Sequence, residues 1–193
     1  GANLSAADKE TLKKYNSELA SLETDFNQTL LEGSLAAAQT INGKKIAIVN
    51  TTQQPLLSEL ADRNQRKQLF EAAWNRTDGG AHNTNDILKR IALLRAKKAA
   101  LLGFKNYAEW SLQRTMAKTP AAIAQFFKDL VPASVGKAKA EAKEIQAQIA
   151  KTGGNFSLEP YDWNFYAEQV RKAKYDLDEN EIKPYFELKN ALE

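Results

Sequence analysis

Along the first thirty residues, Leu12, Tyr15, Leu19, Leu22, Phe26 and Leu30 recur at steps of three and four. That spacing lays one apolar stripe along a single helical face, close to a heptad seam. Ser5 is a suitable N-cap, with Asp8 three residues on in a capping-box-like start. Gly33 is the expected stop. Such a stripe can serve as a coiled-coil arm for a partner. A long helix packed on the rest of its own domain is the preferred reading.

The pattern then changes. An Ala-rich stretch, 35–38, leads to Ile41, and Asn42-Gly43 is a strong turn signal. The β-branched run 45–50 predicts a strand, with 37–41 as its hairpin partner. Pro55 suits the first turn of a helix. Leu56, Leu57, Leu60, Leu69, Phe70, Ala73 and Trp74 predict that this helix has one apolar side and ends at 77–80. A further helix opens near 83–85, carries Ile87, Ile91, Leu94 and Leu101, and stops at Gly103. Asn106 and Glu109 form a capping-box pair for a short helix.

Thr119-Pro120 opens the next helix, with Ile123, Phe126, Phe127 and Leu130 as its apolar positions. Pro132 is expected to kink or briefly interrupt it. The helix resumes through Ile145 and Ile149 in a background of Ala, Lys and Glu, and Gly153-Gly154 ends it. Asp162 or a neighbour opens a helix through Tyr175. Asp178 and Glu181 cap a final short turn that Pro184 limits. No internal repeat or Pro/Ser-rich linker divides the sequence. The expectation is a mostly α fold, a multi-helix, bundle-like single domain over residues 1–193 with one small β element.

Composition narrows the chemistry. Hydrophobic residues make up 43% of the 193 residues and charged residues 26%, which excludes a disordered chain. With no cysteine there is no disulfide, thiol nucleophile or cysteine-held zinc. No run approaches the length of a membrane span. The first five residues carry no signal-peptide pattern, so a cytoplasmic location is expected, with a periplasmic one also compatible. The net charge of +3 is interspersed in sign, unlike the one-sided basic surface of a nucleic-acid binder. Lys89, Arg90, Arg95, Lys97 and Lys98 read as the solvated side of a helix.

Few residues offer catalysis. A single histidine, His82, cannot build a two-histidine zinc site. Residues 176–181, DLDENE, have the acidic density for calcium but lack the central glycine and spacing of an EF-hand loop. There is no G-x-S-x-G elbow and no phosphate loop. Trp110, Trp163, Phe165, Tyr166, Tyr185 and Phe186 read as core rather than as a ligand platform. The polar run Thr51, Thr52, Gln53 and Gln54 has two uses. It can cap a helix and satisfy loose backbone donors, or it can face a substrate channel and bind peptide backbone.

Three stretches carry a family resemblance: NTTQQP at 50–55, LLGFKNYAEW at 101–110 and DWNFYAEQVR at 162–171. Arg63, Arg66, Leu69 and Phe70 extend the first, and MAKTP at 116–120 follows the second. Tyr175 and KPYF at 183–186 follow the third. Their order and spacing resemble the thimet oligopeptidase and neurolysin family of zinc metallopeptidases, most closely its bacterial peptidyl-dipeptidase (dipeptidyl carboxypeptidase) branch. The resemblance implies a helical, neurolysin-like shell around a deep channel. It also implies a zinc held by the histidines of H-E-x-x-H and a downstream Glu, with the Glu of the motif as general base. This chain has no H-E-x-x-H, so no catalytic, cofactor-binding or metal residue is carried over.

By resemblance, the chain is a non-catalytic wall segment, inactive alone, of a parent that contains zinc and cuts short peptides. The expected partners are the remainder of that parent and, through exposed apolar surface, further copies of this chain. The junction 33–45 is shorter than in the family. The alternative is a stand-alone helical interaction module.

Overall fold

The computed structural model describes residues 1, 3–175, 185 and 186. Seven α-helices and a two-stranded antiparallel sheet make up the architecture of the described residues. The elements are α1 (Ala6–Ala36), β1 (Gln39–Ile41), β2 (Lys44–Ile46), α2 (Asn50–Glu59), α3 (Arg63–Asn75), α4 (Asn85–Leu101), α5 (Tyr107–Leu112), α6 (Pro120–Lys151) and α7 (Trp163–Tyr175). Short 3₁₀ turns at Gly80–His82 and Pro160–Asp162 precede α4 and α7. The expected caps at Asp178 and Glu181, the limit at Pro184 and the acidic run 176–181 lie outside the described residues.

Contacts divide the chain into two compact units. One comprises Gly1–Val49 and Glu71–Gly136, and the other Asn50–Phe70 and the chain from Lys137 onward.

In the first unit, α1 lies along α4. Leu19, Ile91 and Leu94 are buried together, with Tyr15, Leu22 and Ile87 packed around them. The stripe seen in the sequence is therefore the seam of an intramolecular helix pair. Arg90 and Arg95 of α4 reach Glu18 and Glu23 of α1 at 2.5 and 3.1 Å. These exposed pairs contribute little individually, and apolar burial holds the seam.

Ser5 caps α1 as expected, its Oγ accepting from Asp8 N at 3.1 Å. Gly33 does not stop the helix, which continues to Ala36. It is there because the chain passes too close for a side chain: a Cβ would lie 2.7 Å from Thr77 Cγ2 and 2.8 Å from the Arg76 carbonyl oxygen.

The hairpin pairs Gln39 with Ile46 and Ile41 with Lys44. Asn42 and Gly43 take positive φ values of 51° and 77°, the left-handed pair that a two-residue hairpin turn requires. The second strand is shorter than the run 45–50 suggested, ending at Ile46. Gly103 closes α4 with Phe104 N donating to Ala99 O and Gly103 N to Ala100 O, a Schellman end. Gly153 closes α6 in the same way, through Gly154 N to Ile149 O and Gly153 N to Ala150 O.

Further expectations need correction. Pro55 does not open its helix; it sits inside α2, which begins at Asn50. Residues 56–74 are not one helix, because the chain breaks between Glu59 and Arg63 and restarts under Asp62, whose carboxylate accepts from Asn64 N and Gln65 N. Tyr185 and Phe186 are not core; they are 78% and 80% exposed. Pro132 lies within α6, and the helix is continuous through it.

Candidate functional site

The second unit is organised around one buried carboxylate. The Pro160–Asp162 turn delivers Asp162 to a fully buried position, where Glu159 N donates to its Oδ2 at 3.2 Å. Two arginines, one turn apart on α3, converge on it. Arg63 donates from Nη2 to Oδ2 at 2.9 Å and from Nε to both oxygens at 3.1 Å. Arg66 donates from Nη2 to Oδ1 at 2.9 Å.

Arg66 Nη1 reaches the carbonyls of Leu60 and Ala61 at 2.8 and 3.0 Å, while its Nε is buried with no hydrogen-bond partner. The guanidiniums also stack on rings, Arg63 at 3.9 Å from the centroid of Phe156 and Arg66 at 4.4 Å from that of Phe165. Planar, delocalised arginine fits this fork-and-stack geometry, where lysine would not. Burial pushes the Asp162 carboxyl up, but the arginine hydrogen bonds, the Arg63 charge and the Glu159 N–H together outweigh it. They hold the group below the usual carboxylate range. At neutral pH it is an anion between cations, suited to holding segments together rather than to moving protons.

In the same unit, α2 and α7 flank a groove of about 390 Å³ lined by the polar Asn50, Gln54, Ser58, Asn164, Glu168 and Arg171 and the apolar Pro55, Trp163 and Ala167. Its wall offers amides, a hydroxyl and an ion pair, with Arg171 Nε and Nη2 each donating to Glu168 at 2.7 Å. These groups can hydrogen-bond a polar chain, but none is an activated nucleophile. The polar run singled out in the sequence is split by the helix. Gln54 lines the groove, Gln53 is buried, and Thr51 and Thr52 are exposed. The Gln53 Oε1 is buried with no hydrogen-bond partner.

His82 lies in the first unit, with Nδ1 3.6 Å from Glu32 Oε2. Among the described residues, no group of three His, Asp or Glu side chains converges to hold a metal. The donors among the described residues do not fit a catalytic zinc, which needs three protein ligands. The aromatics also separate. Tyr166 is buried with Ile145 and Ile149, while Trp163, Phe165 and Phe156 pack around them. Trp110 is half-buried beneath the Lys98 ammonium at 4.8 Å.

Sequence reasoning saw Arg63, Arg66 and Asp162 only as family-like or capping positions. Their convergence across 96 and 99 residues has no local signal.

Comparison with known proteins assigns the chain to a family. The profile of peptidase family M3 matches residues 56–193. The chain belongs to peptidase family M3. It is similar over its full length to dipeptidyl carboxypeptidase of Escherichia coli K12, at 42% identity over 220 aligned positions, and to that of Salmonella typhimurium, at 40% over 221. It is also 26% identical over 92% of its length to oligopeptidase A of Haemophilus influenzae.

The chain spans 32% of the length of the two carboxypeptidases and 26% of that of the oligopeptidase. The alignment with the Escherichia coli relative spans 220 positions against the 193 residues of this M3 chain, which leaves about 27 positions of the relative with no counterpart here. Among the described residues, no helix is long and apolar enough to cross a membrane.

Proposed function

We propose that this chain is a segment of a zinc-dependent peptidyl-dipeptidase or oligopeptidase. In this reading the parent releases C-terminal dipeptides from short peptides in the cytoplasm. This segment forms part of its substrate-channel wall as one structural domain, and does not hydrolyse peptides by itself. The shortened junction at 33–45 is our candidate for the place where the relative's additional residues belong.

The observation that carries the reading is the full-length similarity to dipeptidyl carboxypeptidases in a chain about a third as long. The donor set supports the second half of the reading, since a lone His82 beside Glu32 provides no three-ligand site. The polar groove between α2 and α7 is the part best suited to face a peptide backbone.

The test is hydrolysis of internally quenched peptides by the purified chain with zinc added and with a chelator. We expect no cleavage above buffer under either condition. Zinc-dependent, chelator-sensitive cleavage would refute the reading.

A further inference from the structure

The first half of α6 carries an apolar face that nothing described covers. Ile123, Phe126, Phe127, Leu130, Val131 and Val135 recur at helical spacing along one side. Phe126 and Phe127 are 57% and 52% exposed, and Leu130, Val131 and Val135 are 46%, 47% and 44% exposed. The two phenyl rings lie side by side, with centroids 5.8 Å apart. The opposite side is polar, where Gln125 Nε2 donates to Asp129 Oδ1 at 2.8 Å, and Lys128 borders the face next to Val131 and Val135. Every residue from 124 to 140 is exposed. A contiguous apolar face of this kind, bordered by polar residues, marks an interaction surface.

We propose that the Phe126–Val135 face of α6 is the seat on which the remaining chain of the full-length parent packs, through an uncharged apolar face of its own. The proposal rests on the reading of this chain as part of a longer M3 peptidase. Chain length favours this occupant over a second copy. The relatives matched along the whole of this sequence are roughly three times as long, so chain able to cover the face is present in a protein of that length. The face itself carries no charge, so it selects an apolar partner rather than an acidic or basic one.

The chain contains no cysteine, so a single introduced thiol reports on one place. Val131→Cys and, separately, Val135→Cys are placed in the 193-residue chain and in the full-length parent. Maleimide labelling of the peptide bearing the thiol is then timed by mass spectrometry. In the chain alone, both thiols are expected to label as fast as in urea. In the parent, labelling is expected to slow by about tenfold or more.

Equal rates in both proteins overturn the proposal. Protection in the isolated chain that grows with its concentration also overturns it and assigns a second copy. Protection that is independent of concentration assigns the chain's own residues instead. A gene encoding no longer protein would overturn the reading of the parent as well, whereas equal rates in an existing parent would overturn the docking face alone.

Discussion

Arg66 places Nη2 2.9 Å from Asp162 Oδ1, with the two side chains 1% and 0% exposed. The same guanidinium holds the carbonyls of Leu60 and Ala61 at the break between α2 and α3. One side chain thus ties the end of one helix to the start of another, with a carboxylate from much later in the chain completing the tie.

Asp162→Ala leaves Arg66 charged, buried and without its carboxylate. Removing one partner of such a pair costs about 3–5 kcal/mol. Arg63, whose side chain is 34% exposed, can turn to water, so Arg63→Ala should cost much less. Urea unfolding followed by circular dichroism should rank Asp162→Ala well below Arg63→Ala. Equal midpoints would contradict this account of the cluster.

The same carboxylate sets an acid limit. Its folded value lies below its ordinary 3.8, so between those values the unfolded chain binds the extra proton. The contribution to stability is therefore present above about pH 3.8 and is lost as pH falls through the folded value. Asp162→Asn, which cannot titrate, should show a shallower fall of urea midpoint in that acid range than the unsubstituted chain. Parallel slopes would rule out Asp162 as a source of the acid sensitivity.

Gly33 and Gly136 predict opposite outcomes for one substitution. Alanine is the better helix former by about 0.8–1 kcal/mol. A Cβ on Gly33 would nevertheless press into Thr77 and the Arg76 carbonyl, while one on Gly136 meets nothing within 4 Å. Gly33→Ala should destabilise by about 1–3 kcal/mol, the usual cost of overpacking. Gly136→Ala should raise the thermal midpoint. Thermal scans of the two variants provide the comparison.

Leu19 and Leu31 test the seam between α1 and α4. Leu19 is 8% exposed, beside Ile91 and Leu94, whereas Leu31 is 55% exposed. Leu19→Ala should cost about 2–5 kcal/mol and Leu31→Ala within about 0.5 kcal/mol, as read by denaturant midpoints. If Leu19 instead served a partner, its loss would change oligomeric state rather than folding.

Local chemistry made much of the fold legible. The stripe from Leu12 to Leu30, the Asn42-Gly43 turn, and the stops at Gly103 and Gly153 each act over a few residues, so the sequence displays them directly. So do the caps at Asn106 and Thr119, which accept from Glu109 N at 2.9 Å and Ala122 N at 3.2 Å. The break at 60–62 carried one local signal that went unread, Asp62 as a cap for Asn64 N and Gln65 N, while the groups that brace it belong to Arg66 and, through it, Asp162. Gly33 read as a stop for a similar reason: whether a glycine ends a helix or lets another segment approach depends on what lies opposite. The groove between α2 and α7 was visible only as polar letters, since which of Thr51–Gln54 face it depends on helical phase, and α2 begins earlier than Pro55 suggested.

The placement of packing along α6 has a consequence for its motion. Its buried anchors, Ile145 and Ile149, lie near its end. Pro132 and Gly136, which weaken an isolated helix by roughly 3 and 1 kcal/mol relative to alanine, lie where every neighbouring side chain faces water. A helix without tertiary support is marginal in water, so the backbone here is not equally persistent from end to end. Amide hydrogens around 124–136 should exchange with solvent through frequent local openings, and those around Ile145–Ile149 only through rarer, larger ones. The helix is, in time, a firm stem with a fraying first half.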